Sequence, residues 1–409
     1  MKKSIVILGT LDTKGEHLHL LKKTIEARGH EALIIDLSMG AIPTLPADIP
    51  ASEIARLGGR TVEELMATRD RSASTDVMIA GAQQKVLDLL SGRRIDGIVA
   101  MGGASMALMG SRIMSKLPFG VPKVIATPAA MPTYISEWFG SLDVVVMQVI
   151  MEFAGMYDLL SAVIVQVAGA IAGMVEESVD CTAFRLPYPS VAITQIGFNE
   201  ECAAEVKRLL EGRGYHVYPF HANGISDRSM ERLIAQGLLD GLIDIVPAGL
   251  IEELFQGNRA AGMDRLDAPI GRGMPLVLAP CTLNTTGAGP TRRNRERFIN
   301  RPRLQIDEIR FMTRYTSDEM RQGARLYADK LNRAKGPVKF LVPLRGWSSI
   351  DKPGSILHNP GEDRAFFDEL KALLTTAIPI EEVDCNLEDP EFARALVDSF
   401  DRIFKEARG

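Results

Sequence analysis

The sequence predicts an α/β protein built as two doubly wound Rossmann-like lobes, an internal duplication with parallel sheets and a cleft between them. Three observations predict it. Residues 4–36 read SIVILGTLDTKGEHLHLLKKTIEARGHEALIID, and residues 190–222 read SVAITQIGFNEECAAEVKRLLEGRGYHVYPFHA. Each has an apolar run, a short polar loop, a helix-period segment, an Arg-Gly punctuation and a second apolar run. Strands alternating with helices in this order require a parallel sheet with right-handed crossovers. The chain of 409 residues is 46% hydrophobic and 24% charged, enough for two or three cores at roughly 150 residues per domain.

The elements follow in order. Residues 5–8 and 191–196 are apolar runs of the kind that strands buried on both faces require. Leu18, Leu21 and Ile25 fall on one helical stripe. Gly29 and Gly214 follow the last helical turn, where left-handed backbone favours glycine. The repeat continues: Ile95-Asp96-Gly97-Ile98-Val99 matches Leu239-Asp240-Gly241-Leu242-Ile243, and residues 120–126 match 273–279. The pattern fails over residues 177–189, which contain Pro187 and Pro189, so the lobes are placed at 1–180 and 181–409. Residues 39–74 form an insertion in the first lobe, and an Arg-rich stretch, 291–303, extends a loop of the second. Residues 389–408 close the chain as a helix.

Other classes are disfavoured. With Lys+Arg 47 against Asp+Glu 52 the net charge is −5, which gives no global basic footprint for nucleic acid. The apolar run after Lys3 stops at Gly9 and reads as a strand rather than a secretory leader. The clean apolar stretch at 164–175 is short of the about 20 residues that span a bilayer, so a buried helix and no membrane partner are expected. Cys181, Cys202, Cys281 and Cys385 lack CxxC spacing, so no zinc site and a reducing, cytoplasmic setting are expected.

Open parallel sheets bind ligands beyond the carboxyl ends of their strands. In the first lobe these positions are GTLDTKG at 9–15 and MGGAS at 101–105. The former offers Thr10, Asp12, Thr13 and Lys14 and matches neither Walker A nor GxGxxG. It is either an anion loop or an ordinary turn with Thr10 or Asp12 as helix cap. The MGGAS loop is the better phosphate cradle, since Gly102 and Gly103 permit close backbone approach and Ser105 adds a hydroxyl. In the second lobe HANG supplies His221, Asn223 and Gly224, and a strand at 339–343 delivers Arg345. His221 is either a general acid or base or a solvated loop residue. Cys281 at a strand end is either a nucleophile or a buried small residue. The Arg-rich stretch is a polyphosphate clamp, an RNA contact, a subunit interface or a solvated loop.

In their order, DTKGEHLHLL, MGGASMALM, LPFGVPKVIAT, VAGAIAGM, HANG with SMERLIAQGLLDGLIDI, and GPVKFLVPLRGWSSIDKPG resemble a largely uncharacterised family. That family shares an ATP-binding domain with the tomato protein conferring resistance to tomato mosaic virus. The resemblance implies a two-lobed α/β protein that binds ATP, with Mg2+, and forms a homodimer. The chain diverges where the family has a GGSGGTS-like loop, here Gly102-Gly103-Ala104-Ser105-Met106, and an SGDT-like run, here Ala129-Ala130-Met131-Pro132. Asp12-Thr13-Lys14-Gly15, Gly102-Gly103, His221, Asn223-Gly224 and Ile350-Asp351 are kept.

The leading expectation is an ATP- or nucleotide-binding protein with its ligand in the inter-lobe cleft. Lys14 and Arg345 would offset phosphate charge and Asp12 would meet a ribose hydroxyl or a metal. The alternative is an ATP-independent lyase, hydrolase or isomerase acting on a small carboxylate or phosphorylated acid. There His221 would be the acid/base and Arg345 the carboxylate clamp. His221 and Asp12 are the candidate catalytic residues, and no protein-bound metal cluster is expected. A regulatory module using the Arg-rich surface is the third reading.

Overall fold

The structure, a computed structural model, describes residues 2–41, 43, 45–68, 70–178, 185–187, 189–288, 296–375 and 377–408. The chain divides into two compact units, Met1–Phe184 and Arg185–Gly409.

The first unit carries a parallel sheet of β1 (Ser4–Gly9), β2 (Glu31–Asp36), β3 (Gly97–Met101), β4 (Lys123–Thr127) and β5 (Val145–Gln148), in the order β2-β1-β3-β4-β5. Side chains alternate across a strand, so β1 feeds two cores. Ile5 and Ile7 meet Leu18, Leu21 and Ile25 of α1 (Leu11–Ala27). Val6 and Leu8 meet α2 (Ala51–Leu57), α4 (Arg71–Ser91) and α5 (Ala104–Met114) on the other face. A short helix α3 (Val62–Ala67), closed by a Thr61–Glu64 capping box, completes the insertion.

The apolar stretch lies in α6 (Asp158–Glu176), the one helix among the described residues long and apolar enough to cross a membrane. Its stripe Leu160, Ile164, Val167, Ile171 and Val175 is buried in the same core as α1.

The second unit repeats the plan. Its strands are β6 (Ser190–Gln195), β7 (His216–His221), β8 (Gly241–Asp244), β9 (Leu276–Leu278), β13 (Val338–Pro343) and β14 (Ile380–Val383). All are parallel, in the order β14-β13-β9-β8-β6-β7. The helices are α7 (Glu200–Gly212), α8 (Ile225–Ala235), α9 (Gly249–Leu254), α10 (Asp267–Gly271), α11 (Ser317–Leu331), α12 (Pro360–Leu373) and α13 (Pro390–Glu406). The repeat holds at the level of single contacts. Asp96 Oδ2 accepts the Ser4 N–H at 2.8 Å, and Asp240 Oδ2 accepts the Ser190 N–H at 2.9 Å. A Cβ at Gly97 would lie 2.4 Å from Val175 of α6, and one at Gly241 would lie 2.3 Å from Phe400 of α13. In each unit glycine lets a helix close on the sheet. Gly29 and Gly214 take φ of +91° and +87°.

The loop expected after β9 is instead a small antiparallel sheet of β10 (Thr285–Ala288), β11 (Arg303–Gln305) and β12 (Phe311–Arg314), ordered β10-β12-β11. Of its Arg-rich run, 291–295 falls outside the described residues, as does Cys181. Arg297 and Arg301 stack on the Phe298 ring at 5.0 and 5.1 Å, and Arg301 pairs with Glu319, so these two arginines are held by packing.

Candidate functional site

In the first unit the strand order reverses beside β1, since the chain goes from β1 to β2 on one side and to β3 on the other. The topology therefore opens a crevice at the carboxyl ends of β1 and β3. A pocket of about 700 Å³ lies there. Thr10, Asp12, Thr13 and Lys14 line it from the β1 end, and Gly103 and Ser105 from the β3 end. Its far wall comes from α3 and α4, with Met66, Arg71 and Thr75.

The two loops differ in what they leave free. At the start of α1, Leu11 N donates to Asp36 Oδ1 and Asp12 N to Ser38 Oγ, both at 3.0 Å. The Thr10 and Thr13 hydroxyls bond to each other at 3.0 Å, and Lys14 Nζ donates to the Phe153 carbonyl at 2.5 Å. This loop is therefore mostly satisfied by its own unit. One acceptor is left over: Asp12 Oδ2 takes the Gly40 N–H at 3.1 Å, while Oδ1 is shut off from solvent without a hydrogen-bond partner.

The α5 terminus is the reverse. Gly103 is its N-cap, and the first internal bond runs from Ala107 N to Gly103 O at 3.0 Å. The N–H groups of Ala104, Ser105 and Met106 have no partner among the described residues, as the first turn of a helix requires unless something caps it. These donors and the positive end of the helix dipole favour an anion. The two glycines have different jobs. A Cβ at Gly102 would lie 2.8 Å from Met106 Cβ, whereas one at Gly103 would meet nothing within 4 Å. Gly102 serves packing, and Gly103 leaves the cradle open.

The remaining residues singled out in the sequence belong to the second unit, which does not bring them together. His221 ends the edge strand β7, exposed and without a side-chain partner among the described residues. Asn223 Oδ1 caps the next helix by accepting the Ser226 N–H at 2.9 Å. Gly224 sits at φ +85°, and a Cβ there would lie 2.4 Å from the Ala260 carbonyl. Arg345 follows β13, across the sheet from β7, and grips Asp384 with two bonds of 2.8 Å on the surface. Cys281 is fully buried and burial pushes its thiol up, which opposes the nucleophile reading.

Sequence reasoning missed two buried polar groups in this unit. Arg265, fully buried, donates to Asp227 at 3.2 Å, Glu231 at 2.9 Å and Asp244 at 2.6 Å. Elsewhere Asn284 Nδ2 donates to Asp351 at 2.8 Å and to Asp363 at 2.9 Å. His358 Nδ1 lies 3.0 Å from Asp351, and Arg314 grips Asp363. The only sequence signal was the GWSSID run. Gly346 within it takes φ +119°, and a Cβ there would lie 1.8 Å from the Asp351 carbonyl, so the turn that presents Asp351 demands glycine.

Comparison with known proteins matches residues 3–180 to the N-terminal domain, and residues 188–404 to the C-terminal domain, of an uncharacterised protein family, UPF0261. A UPF0261 protein of Clostridium tetani is 32% identical over 97% of this chain and 98% of its own. The tomato mosaic virus (ToMV) resistance protein Tm-1(GCR237) of Solanum lycopersicum is 27% identical over 99% of this chain, which spans 56% of that protein. Among solved structures, the UDP-GlcNAc 2-epimerase of Methanocaldococcus jannaschii covers 100% of this chain and 94% of its own at 9% identity. Its TM-score is 0.22, too low to carry an argument.

Proposed function

The chain belongs to the uncharacterised family UPF0261, and from that premise we propose that its first unit binds a nucleotide, ATP, in the crevice at the ends of β1 and β3. The observation that carries this reading is the uncapped α5 terminus. Its three free N–H groups face a pocket of about 700 Å³, within the range that holds a nucleotide-sized ligand. The phosphates would take the N–H groups of Ala104, Ser105 and Met106 and the Ser105 hydroxyl. Arg71 on the rim would offset their charge, and Lys14, tethered to the Phe153 carbonyl, would add its charge from there without contacting a phosphate.

Asp12 fits either a ribose hydroxyl or Mg2+. Its Oδ1 has no donor, and Mg2+ is commonly held by one or two carboxylates together with substrate phosphates. Bound there, the ion would neutralise phosphate charge. Among the described residues no group of three acidic, His or Cys side chains forms a cage, so Asp12 would be the protein's acidic ligand.

Titration calorimetry with ATP and Mg2+ tests the reading, alongside thermal unfolding. Ligand at a hundred times its Kd stabilises a binding protein by about 2.7 kcal/mol. Saturable heat and a raised Tm in the wild type, both lost in Gly103→Val, are expected. Absence of both at millimolar ATP overturns the proposal.

A further inference from the structure

A second pocket, of about 190 Å³, lies in the second unit at the end of β13. One side of α12 lines it with Asp363, Arg364 and Phe367, and the β13 end adds Leu344 and Trp347. Asp363 is 5% exposed. Its Oδ1 is fixed from behind by Asn284 and Arg314, and Oδ2 has no protein partner among the described residues. Arg364 is exposed and forms no ion pair among the described residues, its charge acting at longer range on Glu382. A buried carboxyl, an exposed guanidinium and two aromatic walls thus converge on a space too small for a nucleotide.

We propose that this pocket binds a small carboxylic acid, its carboxylate paired with Arg364 and accepting the O–H of Asp363 in its neutral form. The groups around Asp363 favour that form. Burial, and then the neighbouring Asp351 carboxylate, push its carboxyl up to about 7 against the pull of Arg314. Every charged group packed on it is accounted for. Arg314 comes from β12, Asp351 and His358 from the segment after β13, and Glu362, Arg364, Asp368 and Lys371 from α12 itself. Glu382 of β14 is engaged by Lys371. Asn284 supplies the uncharged link, and its Oδ1 is buried without a partner, an acceptor the resting protein leaves unmet. A neutral Asp363 binds an anion where an ionised one repels it, so binding takes up about one proton per ligand well above pH 7 and almost none at pH 6. This site is independent of the nucleotide reading and uses neither His221 nor Arg345.

The test uses the full chain carrying Trp138→Phe, so that Trp347, on the pocket wall, is the sole tryptophan. Pyruvate, malonate and lactate are titrated at pH 6 and pH 8.5. A saturable change in Trp347 fluorescence is expected at pH 6 with at least one acid, and its Kd should rise about tenfold per pH unit above 7. Asp363→Asn, whose amide donates as the neutral acid does, should bind as at pH 6 and lose the pH dependence. Arg364→Gln, at an exposed position, should weaken binding at pH 6 about tenfold or more. No saturable response to any acid at about 20 mM, where a Kd near ~1 mM would saturate, overturns the proposal. So does a pH dependence that survives in Asp363→Asn. Should that variant not fold, unchanged affinity in Arg364→Gln overturns it alone.

Discussion

The two units share one strand order over five strands, the second adding β14 at its edge, and treat the same crevice in opposite ways. After β3 the first unit leaves Gly103, Ala104 and Ser105 open, with the α5 N–H groups unpaired. After β8 the second unit buries residues 245–250 completely. Thr194 Oγ1, at the matching place on β6, donates to Asp244 at 2.7 Å and accepts the Val246 N–H at 2.8 Å. The Ser349 N–H, from the loop after β13, donates to the Phe198 carbonyl at 3.0 Å. Beneath this lies Arg265 with its three carboxylates. Topology names the place where a ligand goes in such a sheet. Whether the chain's own side chains already occupy the hydrogen-bonding groups there decides which copy stays available.

The strongest way to break the comparison is to remove the closure of the second unit. Arg265→Met should leave three buried carboxylates without their cation and destabilise that unit by about 3–5 kcal/mol. Urea unfolding measures it. Burial already holds Asp244 and Glu231 above the usual carboxylate range. An acid raised in the folded state contributes most stability below its unfolded value of about 4 and loses it as pH rises through the folded value. Without Arg265 those folded values rise further, so the deficit should be larger at pH 8 than at pH 5. A deficit independent of pH would show that the carboxylates are not its source.

The next test separates the two adjacent glycines of the open crevice. Gly102→Ala presses a Cβ to 2.8 Å from Met106 Cβ and should lower stability by about 1–3 kcal/mol. Gly103→Ala meets only open space and should leave the Tm unchanged while weakening nucleotide binding about tenfold. Equal destabilisation by both would mean that the cradle is a packing feature.

These differences trace what was readable from the chain. Periodicity revealed the strands and helices of both repeats, because buried strands and amphipathic helices write themselves locally. The crevice residues Thr10, Asp12, Gly103 and Ser105 were reachable because topology fixes where strands end. What stayed hidden depends on partners far along the chain. Lys14 looks like a free phosphate ligand until its ammonium is found on the Phe153 carbonyl. Asn223 looks like a site residue until it caps α8. The Arg265 cluster draws on positions 227, 231 and 244, and the Asp363 pocket on 284, 314 and 351, with no local pattern to announce either. Strands β10 to β12 are only three or four residues long and flank an Arg-rich stretch, too short for alternation to show.

The smallest expected effect tests whether the two copies are the same structure beneath their different crevices. Asp96 and Asp240 stand at the same point of the repeat, and each exchanges two bonds with the serine that opens the first strand of its unit. Asp96 N donates to Ser4 O at 2.7 Å, and Asp240 N donates to Ser190 O at 2.8 Å, while each carboxylate receives the serine N–H in return. Both carboxylates are partly solvated, at 34% and 24% exposure, so water can replace part of what is lost. Alanine at either position should therefore reduce stability by about 1 kcal/mol, with Asp240→Ala the larger of the two. Asp240 also accepts from the Ser190 hydroxyl at 3.1 Å, a bond with no counterpart at Asp96 among the described residues, and from Arg408 at 2.8 Å, where Asp96 has only the longer Lys3 contact at 3.4 Å. Ser190→Ala combined with removal of the Arg408 side chain should bring Asp240→Ala down to the Asp96→Ala value. A gap that persists in that background would place the difference in the strand pairing itself.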